Sequence, residues 1–565
     1  MRLVRSLLCS SCLLISTVFA SAESLSEFNS HFWQWRAQEQ PFTNDDIPRI
    51  DRPANFRVDW SAQVIAQRQR DLAAFEQRLA GLVPSKDAPI HEQVDYRLLG
   101  SALARVRWEL MIQKNWQRDP QFYVDQTIGS VFVLLLQPAP FVETRQQALI
   151  ARVKQIPVTI QAAQANLTDM RRPFAQLAIT ALEDVDERID ATEIALAPEL
   201  SEANHKSLHE ATSAAIKALQ EYRAWLIEKL PSMRSETAIG RENYLYFLRN
   251  VALMDFTPEQ LLSMSTQEWA RSVAFEAYQQ QRSGGGSAPV FPGAGEQVAA
   301  EKKDEEQVRV FLTAEKILTV PSWLKHYHNV LLPAYLVPFE DMGVTDDLTG
   351  PDRLNENGTS YIHKPSQDLG FFYRSTAQDP RPILVHEGVP GHYFQLCLGW
   401  HSEDPIRRHY YDSGANEGIG FYAEEMMQQA GYFDDNPHTR ATIYSFMRLR
   451  ALRVEVDVKL ALGEYTLQQA ADYLASTVPM DKHTALDEAA MFASTPGQAI
   501  SYQVGKLQIT ELLSDARRSQ GSDFSMLKFN DFVWNNGNVP IALQRWEMLG
   551  DASRVPAAML APAEN

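Results

Sequence analysis

Apolar positions along the chain recur mostly with the period of an α-helix. Residues 61–82 carry Val64, Ile65, Leu72, Phe75, Leu79 and Leu82 at helical spacing, and the run stops before Pro84. Residues 96–116, 143–156 and 203–230 repeat the pattern, the last ending at Pro231. Thr257-Pro258-Glu259 has the form of an N-cap followed by proline at the first helical position, and predicts a helix to about Gln281. Thr466 caps a predicted helix over 467–476 in the same way. Alternating, strand-like patterns are few. Tyr361-Ile362-His363 and Phe371-Phe372-Tyr373 are the best of them and predict at most a small hairpin. The expected fold class is therefore all-α.

Ser283-Gly284-Gly285-Gly286-Ser287, continuing through Pro289, Pro292 and Gly295, breaks the pattern. Helical patterning of the same character resumes on both sides. The stretch 283–297 therefore predicts a flexible surface loop within one domain rather than a linker between two. There is no internal repeat.

Composition narrows the function classes. The 565 residues include 71 Asp and Glu against 53 Lys and Arg, a formal charge of −18. That balance argues against a nucleic-acid partner and against docking on an anionic membrane. At the start, Arg2 and Arg5 precede a mostly apolar stretch over 7–19, too short to span a bilayer. Ala20-Ser21-Ala22 then supplies a small-x-small cleavage pattern. Residues 1–22 are expected to be a signal peptide and 23–565 a single exported domain, periplasmic or secreted, with no membrane span. Lipidation at Cys12 is the weaker alternative, because the residues before it match poorly. Cys9 and Cys12 leave with the signal, so Cys397 remains alone, and neither an internal disulfide nor a Cys-based zinc site is available.

The chemistry concentrates in Val385-His386-Glu387-Gly388-Val389-Pro390-Gly391-His392. Two imidazoles, with a carboxylate beside the first, are the parts of a zinc hydrolase site: nitrogens to hold the ion and a glutamate to take a proton from water at its open position. The spacing is unusual. Histidines six residues apart diverge by about 120° on a regular helix, so an unbroken helix cannot aim both at one ion. Pro390 has no N–H for the carbonyl of His386, and Gly388 and Gly391 relax the backbone. A bulged or broken helix between Gly388 and Gly391 is expected. Glu417, in Asn416-Glu417-Gly418, heads a predicted helix over 419–430 and is placed as a third ligand. Glu424 and Glu425 are expected on the surface or behind the ligands, where a carboxylate can orient an imidazole. His205 and His209, four apart, form a rival pair on a solvated face with no base beside them.

These motifs, together with Pro496-Gly497-Gln498-Ala499-Ile500-Ser501-Tyr502, Ile239-Gly240-Arg241-Glu242-Asn243-Tyr244, Phe256-Thr257-Pro258-Glu259-Gln260-Leu261 and the stretch 453–457, resemble the bacterial family named domain of unknown function 885. The resemblance covers roughly residues 25–550. Tyr393, Ile419 and Ala461 depart from the family pattern, which has His, Trp and His there. The family is regarded as similar to helical zinc metallopeptidases of the thermostable carboxypeptidase, oligopeptidase and angiotensin-converting enzyme type. That relation implies a large helical fold with a deep central channel. It also implies zinc held by His386, His392 and Glu417, Glu387 as general base, and Tyr502 as donor to the oxyanion. Arg453 is a candidate for a substrate carboxylate, or pairs with Glu455 or Asp457. The expected function is zinc-dependent cleavage of short peptides. A metal amidase and an inactive peptide-binding protein are the alternatives.

Overall fold

The computed structural model describes residues 23–43, 50–53, 56–284, 288–478 and 480–559; the signal-peptide reading lies outside these. Helices dominate. The predicted run over 61–82 forms the helix Ala62–Ala80, and the run over 143–156 forms Glu143–Asn166, longer than expected because Pro157 is carried within it. Thr257 closes a capping box with Gln260 on the helix Pro258–Ser283, and Thr466 does the same with Gln469 on Leu467–Thr477. The run over 96–116 is the one that divides: the helix Ile90–Arg107 widens into a π-turn, Trp108–Gln113, and stops at Lys114, whose φ is 53°.

Two corrections concern loops and strands. The helix Ala294–Ala314 starts inside the stretch read as loop over 283–297. The described residues also hold a three-stranded sheet rather than a hairpin: β1 (Tyr327–Leu331), β2 (Asp346–Asp347) and β3 (Gly358–Ile362), in the order β1-β3-β2. β1 runs parallel to β3, with Tyr327 opposite Gly358, and β2 runs antiparallel to it, with Asp346 opposite Ser360. Tyr361 and Ile362 lie in β3, as expected, but Phe371-Phe372-Tyr373 opens the helix Phe371–Gln378. Phe371 and Phe372 pack on Phe446, with ring centres 5.5 and 5.8 Å away, and that tertiary contact overrides the β-propensity of three aromatics.

Two helix pairs make the frame of the site. Pro258–Ser283 packs along Pro437–Leu462, and Ser413–Gln429 along Ser501–Gln520. Pro437–Leu462 is buried nearly all round, so its polar residues Arg450, Arg453 and Asp457 point inward and not to solvent. Their spacing of three and four places them on one stripe. No helix of the described residues is long and apolar enough to cross a membrane.

Candidate metal centre

The break in the His386 helix is built as the sequence requires. Leu384–Gly388 is a π-turn closed by Val389 N–H donating to the Leu384 carbonyl at 3.0 Å, and a new helix, His392–His401, starts after Gly391. A Cβ on Gly391 would lie 1.7 Å from the His386 carbonyl oxygen, so the chain folds back on itself there in a way only glycine permits. Trp534 Nε1 donates to the Pro390 carbonyl at 2.6 Å and pins the returning segment. The two imidazoles end with ring centres 4.7 Å apart and planes at 82°.

Glu417 meets them from the opposite side. Its Oε2 lies 3.4 Å from His386 Nε2 and 3.3 Å from His392 Nε2. It is the fifth residue of Ser413–Gln429, not the head of a helix; the helix starts earlier because Asp412 caps it, accepting from Ala415 N–H at 2.8 Å. Gly420, one turn on, lets the rings rest on this helix: a Cβ there would come within 3.0 Å of Cε1 of both histidines.

Glu424 is wholly buried, on the same stripe two turns beyond Glu417. Its Oε1 sits 2.6 Å from His386 Nδ1 and 3.0 Å from Arg450 Nη2. Burial pushes the Glu424 carboxyl up to about 7, opposed chiefly by Arg450. Burial, with Arg450 adding to it, drives His386 down to about 3, so its imidazole is neutral. A neutral imidazole has one N–H. Nδ1 faces Glu424 Oε1 at 2.6 Å, and Nε2 faces the Glu417 carboxylate at 3.4 Å. Only one of these contacts can hold that N–H, so the other sets an imidazole lone pair against a carboxylate, which a cation between them would relieve. The donor set of two imidazole nitrogens and a carboxylate, with a carboxylate behind one ring, thus fits a divalent ion of the zinc type.

Glu387 differs from the other three. Its side chain is 25 % exposed, against 2 %, 7 % and 1 % for His386, His392 and Glu417, and its Oε2 is 3.9 Å from His392 Nε2. It therefore stands at the rim, where a water can reach it. Tyr502 is buried with its ring over that of His386, 6.1 Å between centres at 17°. The Arg453 and Arg450 guanidiniums lie 4.7 and 5.5 Å from the centre of the tyrosine ring.

Arg453 makes a two-pronged pair with Glu488 from the helix Lys482–Ser494, while Glu455 bonds Lys459 and Tyr473. Asp457 instead accepts from Gly497 N–H at 2.9 Å, Ala499 N–H at 2.9 Å and Tyr244 Oη at 2.9 Å. The stretches around residues 244, 457 and 497 meet at this one carboxylate, which sets the turn leading into the Tyr502 helix. Glu425 turns the other way, to Arg271 and Lys506. The half-buried His205 and the exposed His209 flank the buried Glu193 at 3.6 and 2.9 Å, and among the described residues no second carboxylate joins them. A further group, His91, Asp95 and Asp404, comes within reach of one ion, but Arg407 already bonds Asp95 and Glu547 there.

Residues 54–548 match the family described as bacterial protein of unknown function, DUF885. The chain belongs to the DUF885 family. Two solved structures share its fold. One is from Shewanella oneidensis, of a protein described as a lipoprotein of unknown function: 18% identity, 94% of this chain and 100% of that one covered, TM-score 0.70. The other is described as a lipoprotein from Colwellia psychrerythraea: 18% identity, 93% and 98% covered, TM-score 0.71. No curated protein matches the chain. Of the three departures from the DUF885 pattern, Tyr393 packs on Tyr327 at 5.6 Å, and Ile419 and Ala461 are buried among apolar neighbours.

Proposed function

We propose that this DUF885 protein is an exported zinc-dependent hydrolase that cleaves peptide bonds of short peptides. The observation that carries the reading is the convergence of His386 Nε2 and His392 Nε2 on one carboxylate oxygen of Glu417, with the partly exposed Glu387 beside them. His386, His392 and Glu417 hold the ion, which when bound polarises a carbonyl and acidifies water. Glu387 takes the proton of the attacking water and returns it to the leaving amine. Tyr502 donates a neutral hydrogen bond to the oxygen on which charge develops. Glu424 fixes the tautomer of His386. The lipoprotein description of the two structural relatives fits export, as does the leader read over 1–22.

The test is metal content followed by digestion of a mixed peptide library, read by mass spectrometry, with and without chelator. Stoichiometric zinc, lost in His386→Ala, and chelator-sensitive cleavage are expected. Zinc retained in His386→Ala would refute the ligand set. Bound zinc with no peptide cleaved would refute the peptidase and favour amide hydrolysis of another kind.

A further inference from the structure

A second cleft lies between the helix Leu25–Glu39, the end of Ile90–Arg107 with the turns after it, and residues 495–498. Four tryptophans, Trp35, Trp60, Trp108 and Trp116, line it. In a chain of net charge −18, three arginines here meet two glutamates. Two of the arginines are neutralised: Arg36 pairs with Glu109 at 2.6 Å and Arg68 with Glu39 at 2.7 Å. The third, Arg105, is half-buried and makes no hydrogen bond or ion pair among the described residues. Its field reaches Asp412, but that carboxylate is buried and committed to the cap of the Glu417 helix.

The unmet hydrogen bonds have one sign. Among the lining residues the buried atoms without a partner are Arg68 Nη1 and Gln498 Nε2, both donors. Gln498 is 4% exposed and lines the cleft; its Oε1 already accepts from Ser413 Oγ at 2.9 Å, and its Nε2 has no partner among the described residues. A surplus of donors, a guanidinium without a partner among the described residues and flat aromatic walls call for a planar anion joined to a flat apolar group.

We propose that this cleft binds a carboxylate carried on an aromatic or similarly flat group, with Arg105 as counter-ion and Gln498 and Arg68 as donors. The site is separate from the ligand set at His386, although Ser413, the partner of Gln498, stands one turn before Glu417 on the same helix. The carboxy-terminal residue of a peptide ending in an aromatic side chain has this chemistry.

Benzoate and benzamide, matched in shape and differing in charge, test it by calorimetric titration into the full-length protein. Benzoate is expected to bind at least about tenfold more tightly than benzamide, since a charge-assisted pair is stronger than a neutral one. The preference should persist after the metal is stripped with chelator. Arg105→Gln should remove the preference, bringing benzoate down to the affinity of benzamide. Equal affinity for the two, no binding of either, or benzoate binding that vanishes with the metal would each overturn the proposal. These three comparisons use the wild-type chain and so hold even if Arg105→Gln misfolds. An unaltered preference in folded Arg105→Gln would overturn it as well.

Discussion

Glu424 is the residue whose replacement most sharply separates a metal site from a buried polar cluster. It is wholly buried and shared by His386 Nδ1 at 2.6 Å and Arg450 Nη2 at 3.0 Å. Glu424→Gln keeps the volume and one carbonyl acceptor, and removes the charge while turning the second oxygen into an N–H donor. Glu424→Leu removes the charge and the acceptor. Loss of a carboxylate behind a ligand imidazole costs roughly 10–100-fold in metal affinity, so about tenfold is expected for Gln and about 100-fold for Leu. Stability should fall independently of metal. Arg450 is only 4% exposed, and an arginine stripped of its buried partner costs about 3–5 kcal/mol. The rings of Phe421, Phe446 and Tyr502, 5.0 to 5.5 Å from its guanidinium, should hold the cost to the low end, about 3 kcal/mol. Competition with a chromophoric zinc chelator reads the first effect, and urea unfolding in metal-free buffer reads the second. Adding Arg450→Met to Glu424→Leu removes the orphaned charge, so stability should largely return while zinc affinity stays low. Folded Glu424→Leu binding zinc within about threefold of wild type would refute the reasoning, because His386 would then be oriented without Glu424.

Three further outcomes follow from the geometry. Glu387→Gln should keep zinc and fold but lose about 10²–10⁴ in kcat/KM on any cleaved peptide, with Tyr502→Phe losing less; full activity in Glu387→Gln would sink the base assignment. Gly420→Ala places a methyl 3.0 Å from both Cε1 atoms, so the rings must shift by more than metal distances tolerate; zinc affinity should fall at least about tenfold, read by the same chelator competition, and no change would show that the rings do not rest on this helix. Asp457→Ala strands the Gly497 and Ala499 N–H groups and the Tyr244 hydroxyl, and should cost several kcal/mol in urea unfolding, at about 1–3 kcal/mol per buried orphan; a shift below about 1 kcal/mol would mean the turn is held by other contacts.

The sequence alone was enough wherever structure is local. Helix periods, the capping boxes at Thr257 and Thr466, and the interrupted helix at Pro390 all depend on residues within one or two turns of each other. So does the pairing of His386 with His392, because proline and glycine leave the backbone few alternatives. Glu424 was half legible: seven residues after Glu417, it had to share that residue's face, but nothing local said that the face was buried or that His386 would sit against it. Arg450, Gln498 and the anchoring role of Asp457 were not legible at all. Their partners lie 26, 85 and 40 residues away, at Glu424, Ser413 and Gly497. Which buried charge meets which is settled only when helices pack, by desolvation that every polar group must offset with some partner. The same cause misled the reading of Phe371-Phe372-Tyr373, where helix or strand was decided by Phe446, 74 residues on. The sequence by itself determined the candidate ligand residues and the bend that brings two of them together; the packing of four helices decided how those side chains are charged, oriented and held.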